Sequence, residues 1–384
     1  MHFPPIYIAD YDCLSPAGHG VTVLLESLFA SRTQLHHPTF PQGLLPDEIH
    51  DLLSLMSSEK SLKDQDKTSR MGLFLARQMQ PGFSTAKESS GVIVGSSRGP
   101  TETLEKSWKC FEAGQRLSPV TSPTTTASSL PASLARELAF EGPSFSLSAA
   151  CSTGLYALIQ GVSSLISHLC ESVLVGGVEA SNTEFTFEML RAAKVLNSKV
   201  VDDFPCRPGH PERSGMVLSE GAALLRLERH RGESQFEIVG WGTATESGTL
   251  TGVSDEGKAL QLAISRALAI ADIDSSAIDI IVGHGAGTRK GDNAELEAYR
   301  TMFLEMPALI WHKWCTGHML GASAALSVML ACEHLKSGKL PPHPYFPEGH
   351  PMRLPIEMKS PKIALITSMG FGGSACALLV KNLL

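Results

Sequence analysis

A cysteine in a run of small residues is the first candidate for chemistry in this sequence. Cys151 lies in AACSTG (149–154), between a predicted strand at 145–148 and a helix whose apolar residues recur with helical spacing from Leu155 to Leu169. Unpaired N–H groups and the helix dipole at such an N-terminus favour a nucleophilic thiolate with a lowered pKa, and they can stabilise an oxyanion. Most free cysteines are simply small buried hydrophobes, so this stretch alone leaves both interpretations open.

Two of the fourteen histidines stand out because glycines flank them. His284 follows a predicted buried strand and lies in GHG (283–285), whereas His318 follows Gly317 and precedes a predicted helix. Flanking glycines allow close approach to an imidazole. For the other histidines a surface or core position is the default, and GHG alone is also compatible with an ordinary tight turn.

Lys313 and Phe371 are the remaining candidates from the residues themselves. Lys313 lies between Trp311 and Trp314, so its stem covers apolar surface or its ammonium group lies near a charge. Phe371 lies in GFGG (370–373), as an aromatic anchor in a turn or as a gate that a flexible backbone moves across a cavity.

Strands and helices are predicted to alternate along the chain, which favours an α/β protein. The predicted strands are 6–8, 91–94, 145–148, 172–175, 222–228, 236–241, 278–282, 363–366 and 375–380. The predicted helices are 21–30, 68–80, 101–113, 127–139, 155–169, 185–195, 257–271, 292–303 and 321–335. Residues 33–61 are predicted to form a surface loop with room for one short helix. The surroundings of Cys151 resemble residues 315–324, which hints at internal duplication, and no linker divides the chain.

Composition excludes several classes of protein. The 384 residues are 43% hydrophobic and 18% charged, which is typical of a globular protein with a large core or two fused halves. The net charge of −7 gives no reason to expect nucleic-acid binding. No apolar run is long enough to span a membrane, and we recognise no signal peptide. Eight cysteines without a C-x-x-C pair argue against a metal site and a disulfide framework, so a cytoplasmic protein is expected.

Four motifs, in this order, resemble those of the β-ketoacyl synthases of the thiolase superfamily, the elongating, decarboxylating condensing enzymes of fatty-acid and type II polyketide pathways. They are AACSTG, GHGAGTRKGDNAE (283–295), KWCTGHMLGAS (313–323) and SMGFGGSACAL (368–378). Weaker matches, such as VGSSRG and GGVEAS, extend the resemblance over nearly the whole chain. It implies a five-layered αβαβα thiolase fold, normally a dimer, as one unit of residues 1–384 with similar halves of about 1–240 and 241–384.

The resemblance also implies roles for the candidates. Cys151 would accept the growing acyl chain from acyl carrier protein as a thioester. His284 and His318 would hold the malonyl thioester, assist loss of CO2 and stabilise the enolate that attacks the acyl group. Phe371 would gate a second oxyanion hole formed by its own N–H group and that of Cys151, and Lys313 would support the histidine site electrostatically.

Further residues receive roles from the same resemblance. Glu220 would belong to the buried network of Lys313, and Thr288 would contact the phosphopantetheine arm that delivers the substrates, so no bound cofactor is implied. Acyl carrier protein is acidic, and cations are therefore expected near the entrance. The candidates for these cations are Lys63, Lys67, Arg70 and Arg207. Ordinary solvated surface charges are an equally good interpretation of them.

The chain departs from the family pattern at several positions. Ala286 stands where threonine is usual, Trp314 where a small polar residue is usual, and Met216 where phenylalanine is usual. The loop at 245–254 is short, and Trp314 is expected to reshape the pocket. These departures suggest a specialised synthase of the polyketide or polyene type, as a homodimer or as half of a heterodimer with a chain-length-factor-like partner.

Two alternatives remain. The first is a non-catalytic, chain-length-factor-like partner subunit, against which Cys151 argues because such subunits lack the nucleophile. The second is an initiating or thiolase-type enzyme that uses acyl-CoA. His318 argues against it, because the corresponding sets there are Cys-His-Asn and Cys-His-Cys.

Overall fold

The computed structural model describes residues 3–35, 40–80, 86–197, 203–247 and 253–384. The strands in these ranges are β1 (Ile6–Ser15), β2 (Gly18–His19), β3 (Ser90–Gly95), β4 (Ser144–Phe145), β5 (Ser172–Glu179), β6 (Gly221–Glu228), β7 (Phe236–Thr245), β8 (Ile280–Val282), β9 (Ala308–Ile310), β10 (Lys339–Leu340), β11 (Ile356–Glu357), β12 (Ile363–Gly370) and β13 (Ser374–Asn382). The α-helices are α1 (Val21–Phe29), α2 (Asp47–Met56), α3 (Lys67–Met79), α4 (Thr101–Glu112), α5 (Thr121–Thr124), α6 (Ser129–Leu138), α7 (Thr153–Ile166), α8 (Glu184–Ala192), α9 (Lys258–Ala271), α10 (Arg289–Met302), α11 (Lys313–Thr316) and α12 (Leu320–Ser337). Short 3-10 helices span Lys87–Ser89, Ser275–Ala277 and Pro351–Arg353.

Two half-sheets repeat one pattern of strand pairing. The first runs β4-β3-β5-β6-β1 and the second runs β9-β8-β12-β13-β7. In each half-sheet the first three strands are parallel, and the last two are antiparallel to their neighbours. The start of β1 pairs with β7 and joins the two half-sheets into one. The hint of duplication in the sequence therefore corresponds to a repeated strand order. The chain passes from the first half-sheet to the second between Glu228 and Phe236.

Helices and half-sheets form five layers. Helices α3 and α6 pack on the outer face of the first half-sheet, and α9, with α10 beside it, packs on the outer face of the second. Between the half-sheets lie α7 and α12, which contact each other and strands of both halves. This αβαβα order confirms the fold class that the sequence predicted.

The two central helices approach each other closely because small residues line their first turns. A Cβ atom added to Gly154 would lie 2.8 Å from the carbonyl oxygen of Gly321 and 2.9 Å from the backbone nitrogen of Ala325. Any larger residue would push the helices apart. The contact therefore brings the turn before α7, with Cys151, next to the turn before α12, with His318.

The secondary-structure predictions differ from the structure mainly at element ends. The strand predicted at 145–148 ends at Phe145, because the chain leaves the sheet there to form the turn that carries the cysteine. The three-residue strand β9 was not predicted, whereas α2 is the one short helix for which the predicted loop 33–61 left room. Residues 248–252 of the predicted loop 245–254 lie outside the described residues. None of the helices in the described ranges is long and apolar enough to cross a bilayer.

Candidate active site

Cys151 lies in a constrained turn between β4 and α7. The preceding residue, Ala150, has φ near +49°, a left-handed conformation that costs a non-glycine residue on the order of 1 kcal/mol. Thr153 holds this turn: its hydroxyl donates to the Ala150 carbonyl at 2.6 Å and accepts the Ala149 N–H at 2.9 Å. From the second half, the Ser368 hydroxyl donates to the Cys151 carbonyl at 3.3 Å. The predicted position before a buried helix is therefore present, and both halves of the protein fix it.

The protonation state of Cys151 differs from the prediction. The sequence led us to expect a lowered pKa, whereas burial raises the pKa of this thiol to about 12. The ammonium group of Lys313 and the backbone N–H of Cys151 lower the pKa, and the carboxylate of Glu179 raises it, but none of them outweighs the loss of water. The prediction of a resting thiolate was wrong, and the thiol is protonated at neutral pH.

The two candidate imidazoles face each other. The ring centroids of His284 and His318 are 5.3 Å apart, and the ring planes are inclined at 78°. Burial, followed by the charge of Lys313, lowers the pKa of both rings well below its ordinary value. Both imidazoles are therefore neutral, and each can donate one N–H.

Backbone and side-chain contacts orient His318. Its N–H donates to the Val217 carbonyl at 2.7 Å, and its carbonyl accepts the Ser219 N–H at 3.1 Å. The hydroxyl of Ser323, in the first turn of α12, lies 3.2 Å from Nδ1. If this hydroxyl donates, the proton of the neutral ring resides on Nε2.

Glu295 of α10 fixes the loop that carries His284. Its carboxylate accepts the N–H of His284, the N–H of Gly285 at 2.8 Å and the hydroxyl of Tyr299 at 2.7 Å. Lys313 is fully buried and donates from Nζ to the carbonyl of His284. Burial lowers the pKa of Lys313, and the charge of Glu295 is the largest influence that raises it. Glu295, the last residue of the motif at 283–295, was not among the predicted site residues.

Glu220 is not part of the network around Lys313, which corrects the prediction. Its buried carboxylate accepts the N–H of Leu45 at 2.9 Å and forms ion pairs with Lys67 at 2.5 Å and His50 at 3.1 Å. These partners belong to the first half, and they attach α2 and α3 to the start of β6. Glu295 occupies the place beside the histidines that we had assigned to Glu220.

A second overlooked acid, Glu179, connects the two central turns. It is fully buried at the end of β5 and accepts the N–H groups of Ser97 at 2.8 Å, Arg98 at 3.1 Å and Gly321 at 3.2 Å. Burial raises its pKa to about 7. A carboxylate that ends an otherwise apolar strand was the available signal, since such a group needs buried donors.

One cavity of about 730 Å³ brings together five of the predicted site residues. Cys151, His284, His318, Thr288 and Phe371 all line it. Cys151 packs against an apolar cluster that includes Met216 and Leu320, and the apolar lining of the cavity also includes Met189, Leu190, Val195 and Met369. The structure thus brings together residues that are far apart in the sequence, while the role of each remains a prediction.

Phe371 and its turn lie directly beside the nucleophile. A Cβ atom added to Gly370 would be 2.9 Å from the Ala149 carbonyl oxygen and 3.2 Å from the Cys151 nitrogen. The Phe371 side chain is 40% exposed, and the following Gly372 has φ near +82°. An exposed ring on such a turn is compatible with the gate that we predicted.

The residues that depart from the family pattern do not all line the cavity. Met216 and Ala286 line the cavity, so they contribute to its shape. Trp314 does not: it is fully buried and packs edge-on against Phe204, with ring centroids 5.7 Å apart. The expectation that Trp314 reshapes the pocket was wrong, because its side chain points into the core.

The predicted docking cations do not line the active-site cavity. Lys63 is exposed, Arg70 donates to the Gln65 carbonyl at 2.6 Å, and Lys67 is occupied by Glu220. None of these three is among the described residues that line the cavity. Arg207 lines a smaller pocket close by. In the described part of the chain, no three His, Cys, Asp or Glu side chains are grouped as metal ligands.

The fold and the site define a condensing enzyme with the thiolase fold: two equivalent half-sheets, a thiol before one central helix and a histidine before the other. Residues 54–232 match the family of the β-ketoacyl synthase N-terminal domain, and residues 235–346 match that of the C-terminal domain. The chain belongs to the β-ketoacyl synthase family.

Curated relatives and solved structures are similar over most of the chain. A 3-oxoacyl-[acyl-carrier-protein] synthase 2 of Vibrio cholerae is 25% identical, over 98% of this chain and 99% of that protein. The oxytetracycline polyketide putative β-ketoacyl synthase 1 of Streptomyces rimosus is 27% identical, over 85% of this chain and 83% of that protein. The structure of the ishigamide ketosynthase/chain length factor superposes with a TM-score of 0.87 at 22% identity, covering 99% of this chain and 100% of that chain.

Proposed function

We propose that this protein condenses an acyl group on Cys151 with malonyl-[acyl carrier protein], extending a fatty-acid or polyketide chain by a two-carbon unit. The observation that carries the proposal is the convergence of Cys151, His284 and His318 on one cavity with an apolar lining. A thiol can hold an acyl chain as a thioester, and two neutral imidazoles can stabilise an enolate.

The first step is transfer of the acyl group. The Cys151 sulfur attacks the thioester carbonyl of the acyl carrier, the carrier sulfur leaves, and the proton of Cys151 ends on that sulfur. Because burial holds the pKa of Cys151 near 12, the proton leaves as the new S–C bond forms rather than beforehand. The N–H groups of Cys151 and Phe371 are the proposed donors to the tetrahedral oxyanion.

The second step is decarboxylation and condensation. The imidazole N–H groups of His284 and His318 donate to the malonyl thioester carbonyl. The C–C bond to the carboxylate then breaks, CO2 departs, and the electron pair of that bond remains as an enolate. The enolate carbon then attacks the acyl–Cys151 carbonyl, the bond between that carbon and the cysteine sulfur breaks, and the thiolate that leaves takes up one proton from solvent. Neutral imidazoles suit this step, since a cationic ring would pair with the malonyl carboxylate and oppose its loss.

Solved neighbours include a ketosynthase in complex with its acyl-carrier protein and another in complex with its chain length factor, which supports a specialised synthase that works with such partners. On α4, Leu104, Trp108 and Phe111 are each more than half exposed, an apolar surface that suits a homodimer or a heterodimer with a chain-length-factor-like partner. Phosphopantetheine is the proposed carrier of substrates at Thr288, with no further cofactor, and the cytoplasm is the proposed location. The non-catalytic partner subunit and the acyl-CoA-using enzyme remain the alternatives.

Acyl loading tests the proposal. Intact-protein mass spectrometry with acyl-loaded carrier protein is expected to show one acyl adduct on the wild type and none on Cys151→Ala, whereas Cys206→Ala, a control at another buried thiol, keeps the adduct. An adduct on Cys151→Ala would overturn the nucleophile assignment. A wild-type protein that never becomes acylated would favour the non-catalytic subunit.

A further inference from the structure

A third fully buried histidine, His312, immediately precedes Lys313 in the sequence. It is not among the described residues that line the active-site cavity, and the proposed steps assign it no part. Removing an imidazole from water costs free energy unless its nitrogens find partners, so the contacts of the ring are the evidence for its role. Both ring nitrogens of His312 face buried hydroxyl groups, and these hydroxyls belong to two different helices.

The ring of His312 connects the short helix α11 to the central helix α12. Nδ1 lies 3.0 Å from the hydroxyl of Thr316, the last residue of α11, and Nε2 lies 2.9 Å from the hydroxyl of Ser327 on α12. In the neutral tautomer with the proton on Nε2, the ring donates to Ser327 while Thr316 donates to Nδ1, so both contacts are satisfied. One side chain thus joins two helices inside the core.

Helix α11 depends on such an attachment because it is a single turn of four residues. The carbonyl of His312 accepts the N–H groups of Cys315 at 2.9 Å and Thr316 at 3.2 Å. The carbonyl of Lys313 accepts the N–H of Gly317 at 2.9 Å. A helix this short is not stable by itself, so its contacts with the rest of the protein determine where its side chains lie.

Two serines of α12 hold the two ends of the segment 312–318. The hydroxyl of Ser327 contacts His312, and the hydroxyl of Ser323 lies 3.2 Å from Nδ1 of His318. Residues four positions apart lie on one face of a helix, one turn from each other. The two contacts therefore fix both the place and the inclination of the segment relative to α12.

Lys313 lies between these two contacts, and its position matters to both imidazoles of the site. Its Nζ donates to the carbonyl of His284, and its charge is, after burial, the largest influence that lowers the pKa of His284 and of His318. Burial lowers the pKa of His312 as well, so this ring is neutral and adds no competing charge. A shift of α11 would take Nζ away from the carbonyl and remove one of the bonds that hold the loop of His284.

We propose that His312 is a positioning residue for the decarboxylation step. By attaching α11 to α12 through Ser327, it keeps Lys313 in contact with the loop of His284. The turn that carries Cys151 has contacts of its own, so acyl loading does not depend on this attachment. The step that the attachment serves rests on the proposed function, whereas the attachment itself rests on the two hydroxyl contacts.

Rates of the two steps test the proposal. His312→Phe keeps an aromatic ring without hydrogen bonds, so kcat for CO2 release from malonyl-carrier protein is expected to fall about tenfold, as for the loss of one hydrogen bond. KM for this substrate and the rate of acyl loading, followed by intact mass, are expected to change by less than about twofold. His312→Gln, whose amide can donate to Ser327, is expected to recover most of the loss.

His334→Phe is the matched control. His334 is a fully buried histidine near the other end of α12, and its Nδ1 lies 2.8 Å from the carbonyl of Lys339. Its replacement leaves the attachment of α11 intact, so decarboxylation and loading are expected to keep their wild-type ratio. An equal effect on both steps in His312→Phe, a selective loss of decarboxylation in His334→Phe, or no recovery in His312→Gln would overturn the proposal.

If His312→Phe does not fold, Ser327→Ala removes the same contact from the side of α12. The same selective loss of decarboxylation is then expected, and a wild-type ratio of the two rates counts against the proposal.

Nitrogen NMR of protein labelled with 15N-histidine tests the attachment without turnover. The ring resonances that disappear in His312→Gln are expected to shift in Ser327→Ala and to stay unchanged in Ser337→Ala, at the end of α12. No shift in Ser327→Ala would defeat the attachment. A shift in a protein that releases no CO2 from malonyl-carrier protein would defeat the proposed function alone, and CO2 release that is independent of His312 would defeat this inference alone.

Discussion

The two turns before the central helices have the same place in their half-sheets but opposite chemical tasks. The turn before α7 carries the thiol of Cys151, and the turn before α12 carries the imidazole of His318. A non-glycine residue with positive φ lies near each functional group: Ala150, near +49°, precedes Cys151, and Leu320, near +38°, is the first residue of α12. Equivalent places in the two half-sheets therefore bring two different functional groups to one cavity.

Burial acts on the two turns in the same direction, towards the neutral form of each group. It raises the pKa of Cys151 and lowers those of His284 and His318. During the reaction the thiol must lose its proton, whereas each imidazole must keep one. This difference follows from residue type, because all three groups share the same loss of water. The repeated architecture places each functional group at the cavity in surroundings of low dielectric constant. The type of side chain at that position then determines which step it can carry out.

The largest expected effect is on the rate of decarboxylation, and it distinguishes the functions of the two turns. His318→Ala removes one donor to the enolate, so malonyl-carrier decarboxylation should fall by about 10²–10³ while acyl loading of Cys151 persists. Release of CO2 and intact mass measure the two steps on one sample. If both steps fall equally, the division of labour between the turns is wrong.

The next effect concerns the thiol itself. Because the pKa of Cys151 is raised to about 12, the thiolate fraction should grow about tenfold per pH unit from pH 7 to 9. The rate of alkylation by iodoacetamide at Cys151, corrected with Cys151→Ala, should therefore rise about a hundredfold over this range without a plateau. A plateau at neutral pH would restore the resting thiolate that the sequence predicted.

A smaller effect tests how the histidine loop is held. Glu295→Ala leaves the buried N–H groups of His284 and Gly285 without their acceptor and should lower the free energy of unfolding by about 2 kcal/mol or more. Glu297→Ala, an exposed change on the same helix, should lower it by less than about 0.5 kcal/mol. Urea denaturation of both variants makes the comparison, and equal losses would contradict the role given to Glu295.

The smallest effects are expected to stay within each turn. Thr153→Val removes the hydroxyl that holds the cysteine turn, and Ser323→Ala removes the hydroxyl beside His318. Each should slow its own step by about fivefold to tenfold, equivalent to about 1 kcal/mol, acyl loading for the first variant and decarboxylation for the second. Slowing of the same step by both variants would mean that the turns are not independent.

The sequence by itself determined the parts that depend on local pattern. Helical spacing after residue 154 predicted α7, small residues and glycines predicted the turns at Cys151, His284 and His318, and the order of motifs predicted the fold class. These signals are readable because each depends on neighbours within a few positions of the chain.

Only the tertiary structure decided the electrostatics and the partners. Glu295 rather than Glu220 supports the histidine loop, Glu179 joins two turns from different halves, and Trp314 lies in the core rather than in the cavity. The raised pKa of Cys151 belongs to the same class, since the helix dipole is a local feature whereas burial is produced by the whole fold. A carboxylate's hydrogen-bond donors and a thiol's loss of water come from segments distant in the chain, and no local pattern encodes them.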